Sequence, residues 1–331
     1  MAPTEARVTD PKETTVSEAG TVVPNPWASK VRQHEAIAAV DPELAFDLHV
    51  LASPAELTAH LAARRDRTVV LRPEISDDTG SAVLVRPGVA PPEPEIRRLW
   101  DGGGRIVAHD HVPGTPCFVN GVVLDGVLHL TDVWRCFLLE EAHRSLLTSV
   151  VNLAPGSPRE RDLAHRLSSV VKGIGLASGP VTFEVVMGAD RTLKLVKFAA
   201  RTAGHPLPHL CALLGLPDQA AALAGGPRAL AGRPIEPGFV ADYAFAAREG
   251  GRLVRIEGLD EIRALRSYAG DIFLPTPGES ITATTGEGGA GAILLRHKDE
   301  EVLLADVEFC QNRNREGVFS VTADAQRPLG R

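Results

Sequence analysis

The sequence predicts an α+β fold in two or three lobes, and three observations predict it. The chain has 331 residues and is 44% hydrophobic, enough to bury a sizeable core in more than one lobe. Two segments, Ser53-Pro54-Ala55-Glu56 and Ser157-Pro158-Arg159-Glu160, are capping boxes with Pro at the first helical position, and each opens a helix. Between and after them, apolar runs of strand length are separated by Gly, Pro and Asp turns and read as hairpins.

Residues 1 to about 28 are rich in Thr, Pro, Glu and Val with no helical or strand period, and are expected to form a disordered or loosely attached tail. The first capping box opens a helix to about Arg65, with Leu57 and Leu61 four apart on one face. Thr68 to Leu71 reads as a strand closed by Arg72-Pro73. Ser76 to Ser81 reads as a turn and Ala82 to Val85 as the returning strand. A helix is expected over Pro91 to Trp100 and a turn over Asp101 to Gly104. That Gly run lacks a following Lys-Ser/Thr, so it is no P-loop. Arg105 to Phe137 contains three strands, with turns at Pro113-Gly114 and Asp125-Gly126. The second capping box opens a helix to about Ile174.

Two further strands, Val181 to Met187 and Leu193 to Phe198, flank a turn at Gly188-Ala189-Asp190. Glu184 shares a strand face with Thr182 and Val186. A carboxylate inside an apolar strand is costly to bury unless something neutralises it. It is either paired with a nearby arginine or part of a site. Beyond it, Pro206 to Ala224 reads as one or two helices. Val240 to Ala246, Leu253 to Glu257, Ile272 to Leu274 and Ala292 to Leu295 read as strands, Lys298 to Arg315 as a helix and Val318 to Val321 as an edge strand.

Composition narrows the function. The net charge is −7, and no dense Lys/Arg cluster stands out, which argues against a nucleic-acid partner. No apolar run reaches membrane-spanning length and the N-terminus has no signal-like apolar core, so a cytoplasmic protein is expected. Cys117, Cys136, Cys211 and Cys310 lack metal spacing and read as reduced, buried thiols. His109 and His111 share a strand face; a metal pair is one reading, a hinge or surface role the other.

Gly179, Thr182 and Glu184, followed by Lys197, Ala199, Arg201 and Gly204, follow the frame G-x-x-H-x-E and then E-x-N-x-R-x-G-G, which resembles the signature of the ATP-grasp superfamily, and in particular of the bacterial ATP-grasp amino-acid ligases. Val70 to Pro73, the Ser76–Ser81 turn and the next strand are similar to the small-lobe V-V-K-P and its phosphate flap. Here the flap carries Asp77 and Asp78, so a solvated turn stands beside the flap reading. Gly114, Val119, Asn120, Val122, Asp125, Gly126, His129, Thr131, Asp132 and Trp134 match the ligases' hinge and following hairpin.

The resemblance implies an ATP-grasp fold, two α+β lobes enclosing a nucleotide cleft with a C-terminal α/β subdomain. It divides the chain into a tail (1–28), a linker helix and small lobe (29–110), a large-lobe core (111–215) and a C-terminal subdomain (216–331). It implies that the family's preceding Rossmann-like domain is missing. It implies ATP and magnesium as cofactors and an amino-acid-like small molecule as substrate, joined to an amine through an acyl-phosphate. Arg72, Asp110 and Glu184 are the expected nucleotide-binding residues, Glu184 also the metal ligand. Arg201 is the expected clamp on phosphate, Arg201 and Trp134 the expected substrate contacts, and Lys197 a candidate catalytic group. The sequence departs from the family where Lys197 replaces a metal-holding Glu, Ala199 an Asn and Arg72 a Lys, so a second metal is in doubt. The alternative is a catalytically degenerate ATP-grasp protein serving as a binding or partner subunit, or a homo-oligomer.

Overall fold

The computed structural model describes residues 14–16, 22–24, 27–75, 82–100, 104–190, 192–230, 238–285 and 288–322. The expected turns at Ser76–Ser81 and Asp101–Gly103 lie outside them. The chain divides into two compact units, Met1–His111 and Val112–Arg331.

The first unit begins with an antiparallel pair, β1 (Thr14–Val16) and β2 (Val22–Pro24), inside the segment expected to be a disordered or loosely attached tail. Then follow α1 (Lys30–Val40), β3 (His49–Leu51), α2 (Pro54–Ala63), β4 (Val69–Pro73), β5 (Val83–Val85), α3 (Glu93–Trp100) and β6 (Ile106–Asp110). At the start of α2, Ser53 Oγ accepts from Glu56 N (3.2 Å) as a cap, and Glu56 Oε2 reaches back one residue further to accept from Ala52 N (3.0 Å). Strands β3-β6-β4-β5 form an antiparallel four-stranded sheet. Period-two alternation puts Val69, Leu71, Val83, Val85, Ile106 and Ala108 into one core with Leu57 of α2 and Leu99 of α3. Val70, Arg72, Val107 and His109 alternate to the opposite face.

Helix α1 falls at the start of the segment expected to hold a linker helix, though its bounds are not legible in the sequence, and it is tied down by polar contacts rather than by a periodic apolar stripe. Ser29 caps it and donates to Glu74 Oε1 (2.5 Å), Lys30 Nζ donates to the Pro73 carbonyl (3.0 Å), and Arg105 grips Glu74 with two bonds of 2.7 and 3.0 Å. Burial alone pushes the Glu74 carboxyl up. The hydrogen bonds from Arg105 and Ser29 outweigh it and hold the group below its usual range.

The second unit contains β7 (Thr115–Leu124), β8 (Val127–Glu140), β9 (Ser145–Asn152), α4 (Pro158–Gly173), β10 (Gly179–Met187), β11 (Leu193–Ala199), α5 (Leu207–Leu213), α6 (Gln219–Gly225) and α7 (Pro227–Leu230). It continues with β12 (Phe239–Phe245), β13 (Gly251–Ile256), α8 (Leu259–Arg263), β14 (Tyr268–Phe273), β15 (Ser280–Ile281), β16 (Gly291–His297), α9 (Glu300–Glu316) and β17 (Phe319–Thr322). One eight-stranded antiparallel sheet runs β11-β10-β7-β8-β9-β12-β16-β14, and β15-β13-β17 form a small second sheet. The β7–β8 hairpin turns where expected. Asp125 (φ 50°) and Gly126 (φ 75°) both sit in the left-handed region, as a two-residue turn matching strand twist requires. Strand β9 was not anticipated because SLLTSVVN does not alternate; it lies inside the sheet and is buried along most of its length.

Helix α4 packs on β8, and α9 packs on β12 and β16 around Tyr243, Phe245, Ile293, Leu303 and Val307. Helix α5 packs Leu207, Leu210 and Cys211 against Trp134, Cys136, Val150 and Val240. All four cysteines are buried, and none forms a disulfide.

Candidate functional site

Three of the expected site residues of the second unit, Glu184, Lys197 and Arg201, lie at or next to the β11 edge of the large sheet, whereas Trp134 lies on β8 inside it. Along β10, Val181, Phe183 and Val185 are buried while Thr182, Glu184 and Val186 point to the other face. At first β10 and β11 pair regularly, Met187 with Leu193, Val186 with Lys194 and Val185 with Leu195. Continued unchanged, that register would set Val196 opposite Glu184 and turn Lys197 toward the core face beside Phe183. A bulge between Glu184 and Val185 adds one residue on β11, so that Glu184 faces Lys197, Phe183 faces Phe198 and Thr182 faces Ala199.

The consequence is a direct ion pair. Lys197 Nζ lies 2.9 Å from Glu184 Oε1, and the two side chains are only 11% and 13% exposed. Two charges shielded this far from water attract strongly enough to offset part of the cost of burying them. Of the two readings left open for Glu184, a neutralising partner is therefore present, and Lys197 is one. On the other side of β10, Glu184 faces Phe118.

Arg201 follows two residues after Ala199 and is exposed; its Nη1 donates to the Thr202 carbonyl (3.3 Å), and Thr182 Oγ1 donates to the Arg201 carbonyl (3.3 Å). Trp134 has no exposed surface. Its indole lies in the core under α5 and its Nε1 donates to Asp132 Oδ1 (2.5 Å), so the ring faces protein and not a substrate. Asp132 also accepts from Asn120 Nδ2 (2.5 Å) and Thr131 Oγ1 (2.7 Å). Burial pushes the Asp132 carboxyl up despite these donors. Sequence reading marked Asn120, Thr131, Asp132 and Trp134 as matching positions; together they form one buried hydrogen-bonded knot.

In the first unit, Arg72 is half-buried on β4, opposite Val107 of β6. Asp110 ends β6 and is held by Arg67 Nη1 (2.8 Å) and Arg64 Nε (3.4 Å); the bond from Arg67 keeps its carboxyl below the usual range. His109 and His111 do not act as a pair. His109 is buried, with its ring 4.3 Å from that of Phe46 and its Nδ1 2.9 Å from the Asp110 carbonyl, whereas His111 is exposed. Burial, reinforced by the Arg72 charge, pushes His109 down to about 3.

Magnesium requires several oxygen ligands in near-octahedral array. At the three positions where the resemblance places metal-holding residues, the chain offers one carboxylate already joined to an ammonium, that ammonium itself, and the methyl of Ala199. Among the described residues no group of three or more His, Cys, Asp or Glu could hold a metal ion. The residues present do not fit a magnesium ion bridging positions 184 and 197.

No family model matches the sequence, and no curated protein matches it. Solved structures do. An L-amino acid ligase from Bacillus licheniformis superposes with a TM-score of 0.61 at 16% identity, over 89% of this chain and 72% of that one. The fold is that of the ATP-grasp enzymes. An ADP complex of N5-carboxyaminoimidazole ribonucleotide synthetase gives 0.58 at 15% identity, over 88% of this chain and 72% of that one. The biotin carboxylase domain of Hydrogenobacter thermophilus 2-oxoglutarate carboxylase, solved with MgADP, ADP and bicarbonate, gives 0.54 at 13% identity, over 90% and 67%. Among the described residues no helix is long and apolar enough to cross a membrane.

Proposed function

We propose that this chain is a diverged ATP-grasp carboxylate–amine ligase that has become catalytically degenerate, binding a nucleoside triphosphate and an amino-acid-like carboxylate while supporting phosphoryl transfer poorly. The observation that carries the reading is the buried Glu184–Lys197 pair on the strands where the resemblance expects two metal-holding acids. Arg72, Asp110 and Glu184 are the proposed nucleotide contacts and Arg201 the proposed contact to transferred phosphate. In the ligase reaction a substrate carboxylate oxygen attacks the γ-phosphorus, ADP leaves, an amine displaces phosphate from the acyl-phosphate, and an amide results. That transition state is stabilised almost wholly by positioned charge, so loss of the bridging cation falls on the rate more than on binding. The buried thiols, joined in no disulfide, agree with a reducing compartment, and a cytoplasmic location is part of the proposal.

A second reading, an active ligase, is favoured by one observation: the Arg201 guanidinium is exposed at the end of β11 and available to an anion. The test is a nucleotide-dependent thermal shift together with ADP release across a panel of amino acids. The expected result is a rise in melting temperature with ATP, background ADP release by the wild type, and magnesium-dependent release gained by the Lys197→Glu, Ala199→Asn variant. Robust magnesium-dependent turnover by the wild type supports the active ligase instead. No shift with any nucleotide overturns both readings.

A further inference from the structure

The misfit to magnesium has a positive side in the charge carried by β11. Two acids and one divalent cation sum to zero; one carboxylate and one ammonium also sum to zero. The Glu184–Lys197 pair reaches that balance with no metal, and a divalent cation placed there would leave an excess of two positive charges beside a displaced ammonium. The same strand adds more positive charge. Val186 faces Lys194, so Lys194 shares the face of Glu184 and Lys197, and the exposed Arg201 follows at the strand's end. Lys194, Lys197 and Arg201 thus lie in sequence along this edge of the sheet, with the Glu184 carboxylate of β10 among them. The β11 bulge aligns this row: without it Lys197 would point to the core face.

We propose that the Lys197 ammonium takes the place of the divalent cation, so that this edge binds the phosphate chain of a nucleoside triphosphate without metal, with Glu184 positioning the ammonium. The inference rests on the nucleotide-binding reading above and adds how the phosphates are held. An ammonium donates hydrogen bonds to a phosphate oxygen as a point charge. Carrying one charge where a divalent metal carries two, it offsets less of the charge that develops during transfer, which separates binding from transfer.

The experiment is a calorimetric titration of the full chain with ATP and with ADP, in EDTA and again in excess magnesium, repeated for Lys197→Glu and for the charge-free double variant Glu184→Gln, Lys197→Met. The wild type is expected to bind ATP in EDTA with an affinity within about threefold of that in magnesium. Lys197→Glu is expected to weaken binding in EDTA by at least about 100-fold, because a close favourable charge contact becomes repulsive, and to regain affinity with magnesium. The double variant leaves no unpaired buried charge, so it tests the idea even where Lys197→Glu fails to fold, and it is expected to lose about tenfold in EDTA. Wild-type binding that requires magnesium overturns the inference and leaves nucleotide binding standing, as does a double variant that binds like the wild type. Absence of binding in both buffers overturns the nucleotide-binding reading and this inference with it.

Discussion

Removing the Lys197 ammonium alone should destabilise the second unit far more than removing both charges. At the observed 2.9 Å separation the Coulomb attraction is about 6 kcal/mol at an effective dielectric near 20. Desolvation of two largely buried ions cancels most of it, so the pair's net contribution is near zero. Lys197→Met removes the attraction and leaves the Glu184 carboxylate buried, and is expected to cost about 3 kcal/mol, the lower end for breaking a buried pair because the carboxylate keeps some solvent access. Glu184→Gln is expected to cost about 2 kcal/mol, since a long ammonium stem can swing toward water. The double variant should lie within about 1 kcal/mol of the wild type, a coupling of several kcal/mol in a double-mutant cycle. Equilibrium urea unfolding, followed by fluorescence in a Trp27→Phe, Trp100→Phe background that leaves Trp134 of the second unit as the reporter, measures each value. Strictly additive single and double variants would refute the claim that the two charges act as one unit.

Acid should weaken the first unit through His109. Its ring is neutral when folded, with a pKa of about 3 against the ordinary 6.5, and it faces Arg72, His34 and the exposed His111. The unfolded chain takes up a proton below about 6.5, so this contribution is complete above that pH and is lost as the pH falls toward 3. The loss is about 2 kcal/mol by pH 5, and His109→Phe should flatten the pH 5–7 stability profile measured by urea unfolding. Glu74→Gln should cost about 2 kcal/mol, because Arg105 and Ser29 both lose a charged acceptor, and should loosen α1 as read by amide exchange. Ser157→Ala should cost about 1 kcal/mol through loss of the cap on Glu160 N in α4.

The parts of the fold legible in the sequence were those written in local chemistry. Both capping boxes close as hydrogen-bonded caps, and the Asp125-Gly126 turn has the backbone its residues favour. Strands β10 and β11 span nearly the residues expected, since their apolar alternation is local. What could not be read depends on partners distant in the chain. Helix α1 is held by Glu74 and Pro73, about forty residues on, and shows little apolar stripe. The burial of Trp134 is set by α5, seventy-odd positions later, so its match to a motif gave no warning that it serves the core. The Glu184–Lys197 contact depends on a one-residue bulge, which no alternation pattern announces, and without it the same two residues would lie on opposite faces.

The most direct measurement of the central claim is a crystal structure of the full chain with a non-hydrolysable ATP analogue and excess manganese, with anomalous diffraction locating the metal. The account predicts Lys197 Nζ within about 3 Å of a phosphate oxygen, and no manganese peak between Glu184 and the phosphates. A manganese ion ligated by Glu184 and the phosphate chain, with the ammonium turned away, would contradict it.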